Sequence, residues 1–388
     1  MNTHPGSLHS VLRGALPALA EEARSRAEEF EGARRIAFDY VDRLKAAGLY
    51  RLLVAREQGG LGAPPNEWLR VITTLAYADA STGWTVAHGA ACSALIANLA
   101  NEGLLGEFLA DPMASAAWSN QGKVKAREVA GGLIISGRWG FGTGCTAATH
   151  LGGMLRLAAT DGEAAARFVV ALARREQVRI DEVWDPVGLA GTGSHDIVFD
   201  DVFVPWSHTF TWPDCTPNSR RPTGIFVSGT WFITLCAAGT QLGLARRALD
   251  EVRQELGPKL DIYSRQPLLT KAAVLHTLEE AEGLLLAVQA GLETVLEEVW
   301  DIACCEEALS QDLRLRARLA AVTAVHQCER IVRAAYDAAG AGAIRRAGAL
   351  QRVYRDASCL THHVAANADS FEIVGRVRGG FDKLTFRV

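Results

Sequence analysis

Imidazole and hydroxyl groups, more than thiols, set the chemistry open to this sequence. His363 stands in CLTHHVAANADSFEIVGRV, and an imidazole with an ordinary pKa of about 6.5 exchanges a proton at neutral pH. It can deprotonate a phenol or similar group, or hold the phenolate that results. On a helix its neighbour His362 points about 100° away, so the two do not face one cavity. His88 lies in the alanine-rich helical stretch STGWTVAHGA, together with Trp84. Thr143 is set between Gly142 and Gly144, where its hydroxyl can donate a hydrogen bond and the glycines let the backbone approach a flat ring closely. The turn GLAGTGSHD (188–196) adds Gly191, Gly193, Ser194 and His195, and Trp118-Ser119-Asn120 adds two further polar side chains. Plainer readings stand beside these: helix histidines satisfied by neighbours, glycine-rich turns, and ordinary strand packing around Ser119. The eight cysteines form no CxxC pair, with only Cys304 and Cys305 adjacent, and read as small buried apolar residues.

The elements that position these groups fall into three zones. Residues 8 to about 112 carry apolar residues at three- and four-residue spacing and predict helices, punctuated by Gly48 and the cluster Gly59, Gly60, Gly62, Pro64 and Pro65. From about 115 to 210, short β-rich runs such as GGLIISGRW, HLGGMLRLAA, ARFVVALA, VRIDEVWD and SHDIVFDDVFVP predict a compact antiparallel barrel or sandwich. The connection TWPDCTPNSRRPTG then leads to long amphipathic stretches from about 228 to 378, suited to a bundle. The expected division is a helical domain over 1–112, a β domain over 113–222 and a helical bundle over 223–388. The 388 residues are 49% apolar and 22% charged, ample for a packed core and incompatible with disorder. A net charge of −4 argues against a nucleic-acid binder. No apolar run reaches the roughly 18 residues of a membrane helix, and no signal peptide is evident, so a cytoplasmic protein is the expectation.

The order of zones, with its local sequences, resembles the acyl-CoA dehydrogenase superfamily over nearly the whole chain. It is most similar to the branch of flavin-dependent monooxygenases and hydroxylases. AAGLYRLLVAREQGGLG (46–62) resembles the helix-turn before the family's glycine signature, with Ala55 in place of its usual proline. ISGRWGFGTGC (135–145), VWDPVGLAGTGSHDIVFDDVFVP (183–205) and LQRVYRDASCLTHHVAANADSFEIVGRV (350–377) resemble segments of the monooxygenase branch. The resemblance implies an α+β, acyl-CoA dehydrogenase-like fold: a helical N-terminal domain, a middle β-barrel or sandwich, and a C-terminal four-helix bundle packing into homotetramers.

It also implies roles. Reduced FMN or FAD (FMNH2 or FADH2) would react with O2 to a flavin hydroperoxide that oxygenates an aromatic, heteroaromatic or amine small molecule. His363 falls on the branch's active-site histidine, and Thr143 on its flavin-contacting hydroxyl, with Phe141 beside the ring. Gly191, Gly193 and Ser194 would offer backbone amides to the flavin. Trp118 and Ser119 would lie near the flavin and substrate, His88 and Trp84 would line the cavity, and Arg265 would reach a neighbouring subunit's flavin phosphate. Arg355 and Asp356 are expected to form a structural ion pair. No GxGxxG dinucleotide fingerprint occurs, so reduced flavin would come from a separate flavin reductase. The dehydrogenases' base position falls on Val364, which cannot accept a proton, so an acyl-CoA dehydrogenase or oxidase would need its base elsewhere. A non-catalytic flavin-binding paralogue is the remaining alternative.

Overall fold

The structure is a computed structural model that describes residues 10–158, 167–212, 222–227 and 229–382. Five helices open it: α1 (Ser10–Ala33), α2 (Phe38–Ala46), α3 (Pro65–Ala78), α4 (Ala80–Leu99) and α5 (Glu102–Ala110). The fourth decides the architecture. Its sequence mixes alanine and other small residues with Trp84, Val86, Leu95, Ile96 and Leu99, carries no Asp, Glu, Lys or Arg, and is buried at every residue except His88. A helix apolar all round belongs inside a protein rather than on its surface. Asp79 caps its start, Oδ2 accepting both the backbone N–H and the hydroxyl of Thr82 at 2.8 Å. Trp84 and Thr85 are buried, and His88, the half-buried residue of α4, lies one turn on from Trp84.

Eight strands follow: β1 (Ala116–Ser119), β2 (Gly122–Val129), β3 (Gly132–Gly142), β4 (His150–Leu157), β5 (Arg167–Arg174), β6 (Arg179–Asp181), β7 (His195–Pro205) and β8 (Thr209–Thr211). They form two four-stranded sheets, ordered β1-β4-β5-β8 and β2-β3-β7-β6, packed as a sandwich around Trp139 and Phe199. The antiparallel expectation fails at one place, since β1 and β4 pair in parallel. A parallel pair needs a crossover, and here the β2–β3 hairpin of the opposite sheet supplies it. Glu107 of α5 ties the sandwich to the helices, accepting from His150 Nε2 (2.9 Å), His208 Nε2 (3.1 Å) and Arg174 Nε (2.7 Å).

The chain returns to helix with α6 (Pro222–Phe226), α7 (Trp231–Leu256), α8 (Ala272–Cys304), α9 (Gln311–Ala339), α10 (Ala349–Leu360) and α11 (Asp369–Arg378). The last three residues of the expected connection, 222–224, are therefore helical, the helix running on to Phe226. In α8 the buried positions Leu278, Ala281, Leu285, Leu292, Leu296 and Val299 recur every three to four residues or a multiple of that, the spacing that predicted it. Helix α9 packs on both α7 and α8, and α10 on α7 and α9. Helix α7 also packs on α3, so the N- and C-terminal helices share one hydrophobic core while the sandwich has its own. Cys92, Cys145, Cys236 and Cys328 are buried as expected, whereas Cys304 and Cys305 are exposed at the end of α8; Cys215 lies outside the described residues. Among the described residues no helix is long and apolar enough to cross a membrane.

A clasp fixes the 183–195 segment onto α10. Asp356 Oδ1 accepts the Leu189 N–H at 2.6 Å, and Arg355 Nη1 donates to Val187 O at 2.7 Å. The expected Arg355–Asp356 pair is not made: Arg355 pairs with Glu31 at 2.6 Å, and Asp356 is turned inward to the backbone amide. Gly188 allows this closeness, because a Cβ there would stand 2.4 Å from Arg355 O. Alanine at Gly188 should cost about 2–3 kcal/mol through overpacking against backbone that cannot yield. Alanine at Gly106, an exposed helical glycine with open space around it, should cost nothing. Urea unfolding midpoints of the two variants test the contrast.

Candidate active site

Three rings from two distant segments meet where α4 passes the end of α10. Trp84 lies 4.2 Å from His88 and 5.0 Å from His363 between ring centroids, and the two imidazoles are 5.8 Å apart. Four residues separate Trp84 from His88 on α4, which puts them on one helix face. His363 is not helical, as its reading from sequence had it: α10 ends at Leu360, and the histidines lie in the following turn. His362 is exposed there, while His363 faces the cluster. That turn is held from behind, since Thr234 Oγ1 donates to Ala365 O (2.7 Å) and His326 Nε2 to Ala366 O (3.0 Å).

The tautomer of His363 follows from its bond. Its Nδ1 accepts the Ala365 N–H at 3.3 Å, so the ring hydrogen is on Nε2. Burial pushes its pKa down to about 4. The neutral ring therefore presents an N–H donor at Nε2 rather than a lone pair. His88 is pushed down to about 3, by burial and then by His363 beside it. Its Nε2 is buried without a partner, and so is Thr85 Oγ1 one residue along from Trp84.

From Trp84 a chain of hydroxyls runs into the sandwich. Trp84 Nε1 donates to Thr143 Oγ1 at 3.3 Å; Thr143 and Ser194 hydroxyls are 3.0 Å apart, and Ser194 and Thr192 hydroxyls 2.8 Å. Thr192 Oγ1 donates to Leu189 O at 2.8 Å. Both ends are fixed, because an indole N–H only donates and a carbonyl only accepts. Thr192 gives its single proton to the carbonyl, so Ser194 must donate to Thr192, and Thr143 to Ser194. The expectation that Thr143 donates outward is thereby reversed. Its oxygen holds one unused lone pair, and the residue is half-buried.

Phe141 and Thr143 owe their positions to a break in β3. The register between β3 and β7 shifts between Trp139 and Gly142, and Phe141 takes φ +61, a left-handed backbone. This turns its ring out of the sheet, 59% exposed, with its centroid 5.8 Å from that of Trp184. Trp118 lies in β1 against Phe210, and Ser119 is buried, its Oγ accepting the Gln121 N–H at 3.0 Å.

One expectation changes: the Gly193 N–H is not free but closes on Ala190 O (3.4 Å), while Gly191 packs against α4, where a Cβ would stand 3.0 Å from Ser81. His195 is likewise internal, its Nδ1 accepting the Trp184 N–H at 3.1 Å. Arg265 is not with the others; it is exposed, with φ +59, in the turn between α7 and α8. Sequence reasoning passed over Thr85, Trp184 and Thr192. Thr85 had a usable signal, a hydroxyl three residues before His88 and so on its face.

The N- and C-terminal domain models of acyl-CoA dehydrogenases match residues 9–116 and 235–368. The chain belongs to the acyl-CoA dehydrogenase family, in its flavin-dependent monooxygenase branch. Among its relatives, the indole-3-acetate monooxygenase of Pseudomonas putida is 30% identical over 93% of this chain and 92% of that one. The oxygenase component of the FADH2-dependent resorcinol hydroxylase of Rhizobium sp. (strain MTP-10005) is 28% identical over 93% and 92%. The crystal structure of 3-HSA hydroxylase from Rhodococcus sp. RHA1 superposes with a TM-score of 0.88 at 26% identity, covering 98% of this chain and 99% of that one. As a member of this branch the chain is an oxidoreductase that uses a flavin, with O2 as co-substrate.

Proposed function

We propose that the chain is the oxygenase half of a two-component system. It takes reduced FMN or FAD from a separate reductase and uses O2 to oxygenate an aromatic or heteroaromatic small molecule. The observation that carries this is the His363 Nε2–H standing beside Trp84, the residue that opens the hydroxyl chain through Thr143. The residues suit a flavin edge and a ring substrate. Thr143 keeps a free lone pair, Phe141 is turned outward, and Thr85 Oγ1 and His88 Nε2 are buried without partners.

Bound reduced flavin supplies the activation of O2. The chain's own groups do the rest. Thr143 would accept a hydrogen from the flavin, and Trp84 and His88 would wall the substrate ring. His363 Nε2–H donates to the oxygen of a phenol bound as its phenolate, its proton released to bulk water, and the anionic ring is more electron-rich where oxygen is added. Relatives named for indole-3-acetate, resorcinol and p-hydroxyphenylacetate support such a substrate. In a homotetramer the exposed Arg265 would serve a neighbouring copy's flavin.

Rapid mixing tests the reading. Reduced FMN or FAD, bound anaerobically and mixed with O2, should give a transient absorbance distinct from both reduced and oxidised flavin. With indole-3-acetate, resorcinol and p-hydroxyphenylacetate offered in turn, at least one should yield oxygenated product. Reoxidation at the protein-free rate without a transient, together with reduction of bound oxidised flavin by an acyl thioester, would make the chain a dehydrogenase or oxidase.

A further inference from the structure

We infer that Thr192 and Ser194 are positioning residues that make the site selective for the redox state of the flavin. This rests on the reading that the reactive flavin edge meets Thr143. The chain of hydroxyls has a forced direction. Thr192 gives its proton to Leu189 O, Ser194 gives its proton to Thr192, and Thr143 gives its proton to Ser194, while Trp84 Nε1–H occupies one lone pair of Thr143. Any further group that meets the Thr143 oxygen must therefore bring a hydrogen. Reduced flavin does so, for its N5 carries a hydrogen. Oxidised flavin has a bare lone pair at N5, which would face the lone pair of Thr143. The selection is made about three residues away from the contact, by the carbonyl of Leu189 that ends the chain. Leu189 is itself held in a left-handed conformation (φ +56), with its N–H on Asp356.

Thr192→Val tests this. Valine keeps the shape but neither donates nor accepts, so the Ser194 proton loses its acceptor and turns to Thr143, whose own proton is then free to point at a ligand. Anaerobic titrations of reduced and oxidised FMN, and of FAD in parallel, should show that the unaltered protein prefers the reduced form. In Thr192→Val that preference should fall about tenfold, the size of one hydrogen bond. Thr192→Ser, which keeps the hydroxyl, should retain it. A packing role alone would weaken both redox forms equally and leave their ratio fixed.

A second measurement needs no variant. Reduced 5-deaza-FMN has a CH2 group where reduced FMN has N5–H, and should bind the unaltered protein about tenfold more weakly. Equal affinities for reduced FMN and its deaza analogue, or an unchanged redox ratio in Thr192→Val, would overturn the inference while leaving the flavin site in place. Failure of the unaltered protein to bind either flavin in either state would overturn the flavin reading as well.

Discussion

His363→Ala should lower product formation about 100- to 1000-fold on whichever phenol supports turnover, while O2 still reoxidises bound flavin. The magnitude is that of removing one donor aimed at a developing oxyanion. The two processes separate because Thr143 and its hydroxyl chain make no bond to His363. Oxygen consumption and product formation, measured together, should therefore diverge. His363→Asn distinguishes a donor from a base. An amide can present an N–H but cannot take a proton at neutral pH, so it should recover part of the lost rate. Equal losses in the alanine and asparagine variants would sink the donor assignment. The pH profile bears on the same point: with a pKa held at about 4, His363 stays neutral from pH 5 upward and should introduce no step in the rate there.

What could be read from the sequence was what is local. The buried positions of α8 and α9 repeat every three to four residues, and the runs of β4, β5 and β7 alternate or stay apolar, so elements and their order followed from periodicity. Trp84 with His88, and Thr143 between glycines, were likewise visible within short segments. What could not be read depends on segments far apart in the chain. Thr143 meets Ser194 across 51 positions, and Leu189 meets Asp356 across 167. No local pattern reports such a contact, so the sequence alone pairs Asp356 with its neighbour Arg355 and points the Thr143 proton outward. Gly191 drew attention for a cofactor, yet Ser81 of α4 stands where its Cβ would go, and Gly188, which drew none, is demanded by the backbone of α10. The parallel β1–β4 pair escaped for the same reason, since its crossover is a hairpin belonging to the other sheet.

Acid should unfold this protein sharply, and the two clustered histidines should be the main cause. In the folded state their pKa values are pushed down to about 3 for His88 and about 4 for His363, against about 6.5 when unfolded. Above pH 6.5 both states hold these rings neutral, and there is no penalty. As pH falls below 6.5 the unfolded chain takes up two protons that the folded one refuses, so stability declines until the folded pKa values are reached. Each histidine contributes about 1.4 kcal/mol per pH unit, or about 3 kcal/mol per unit for the pair between pH 6.5 and 4. Asp356 acts in the opposite sense. Burial raises its pKa to about 7, so its folded form keeps a proton that the unfolded form has lost, and it destabilises progressively as pH rises from 4 to 7. Urea midpoints followed from pH 8 to pH 4 should separate the two. The double variant His88→Gln/His363→Gln should lose most of the acid slope. Asp356→Asn, whose carbonyl can still accept the Leu189 N–H, should instead steepen it by about 1.4 kcal/mol per pH unit. A double variant that retained the slope of the unaltered protein would mean that these rings are as easily protonated folded as unfolded. That would remove the basis for a neutral His363 donor.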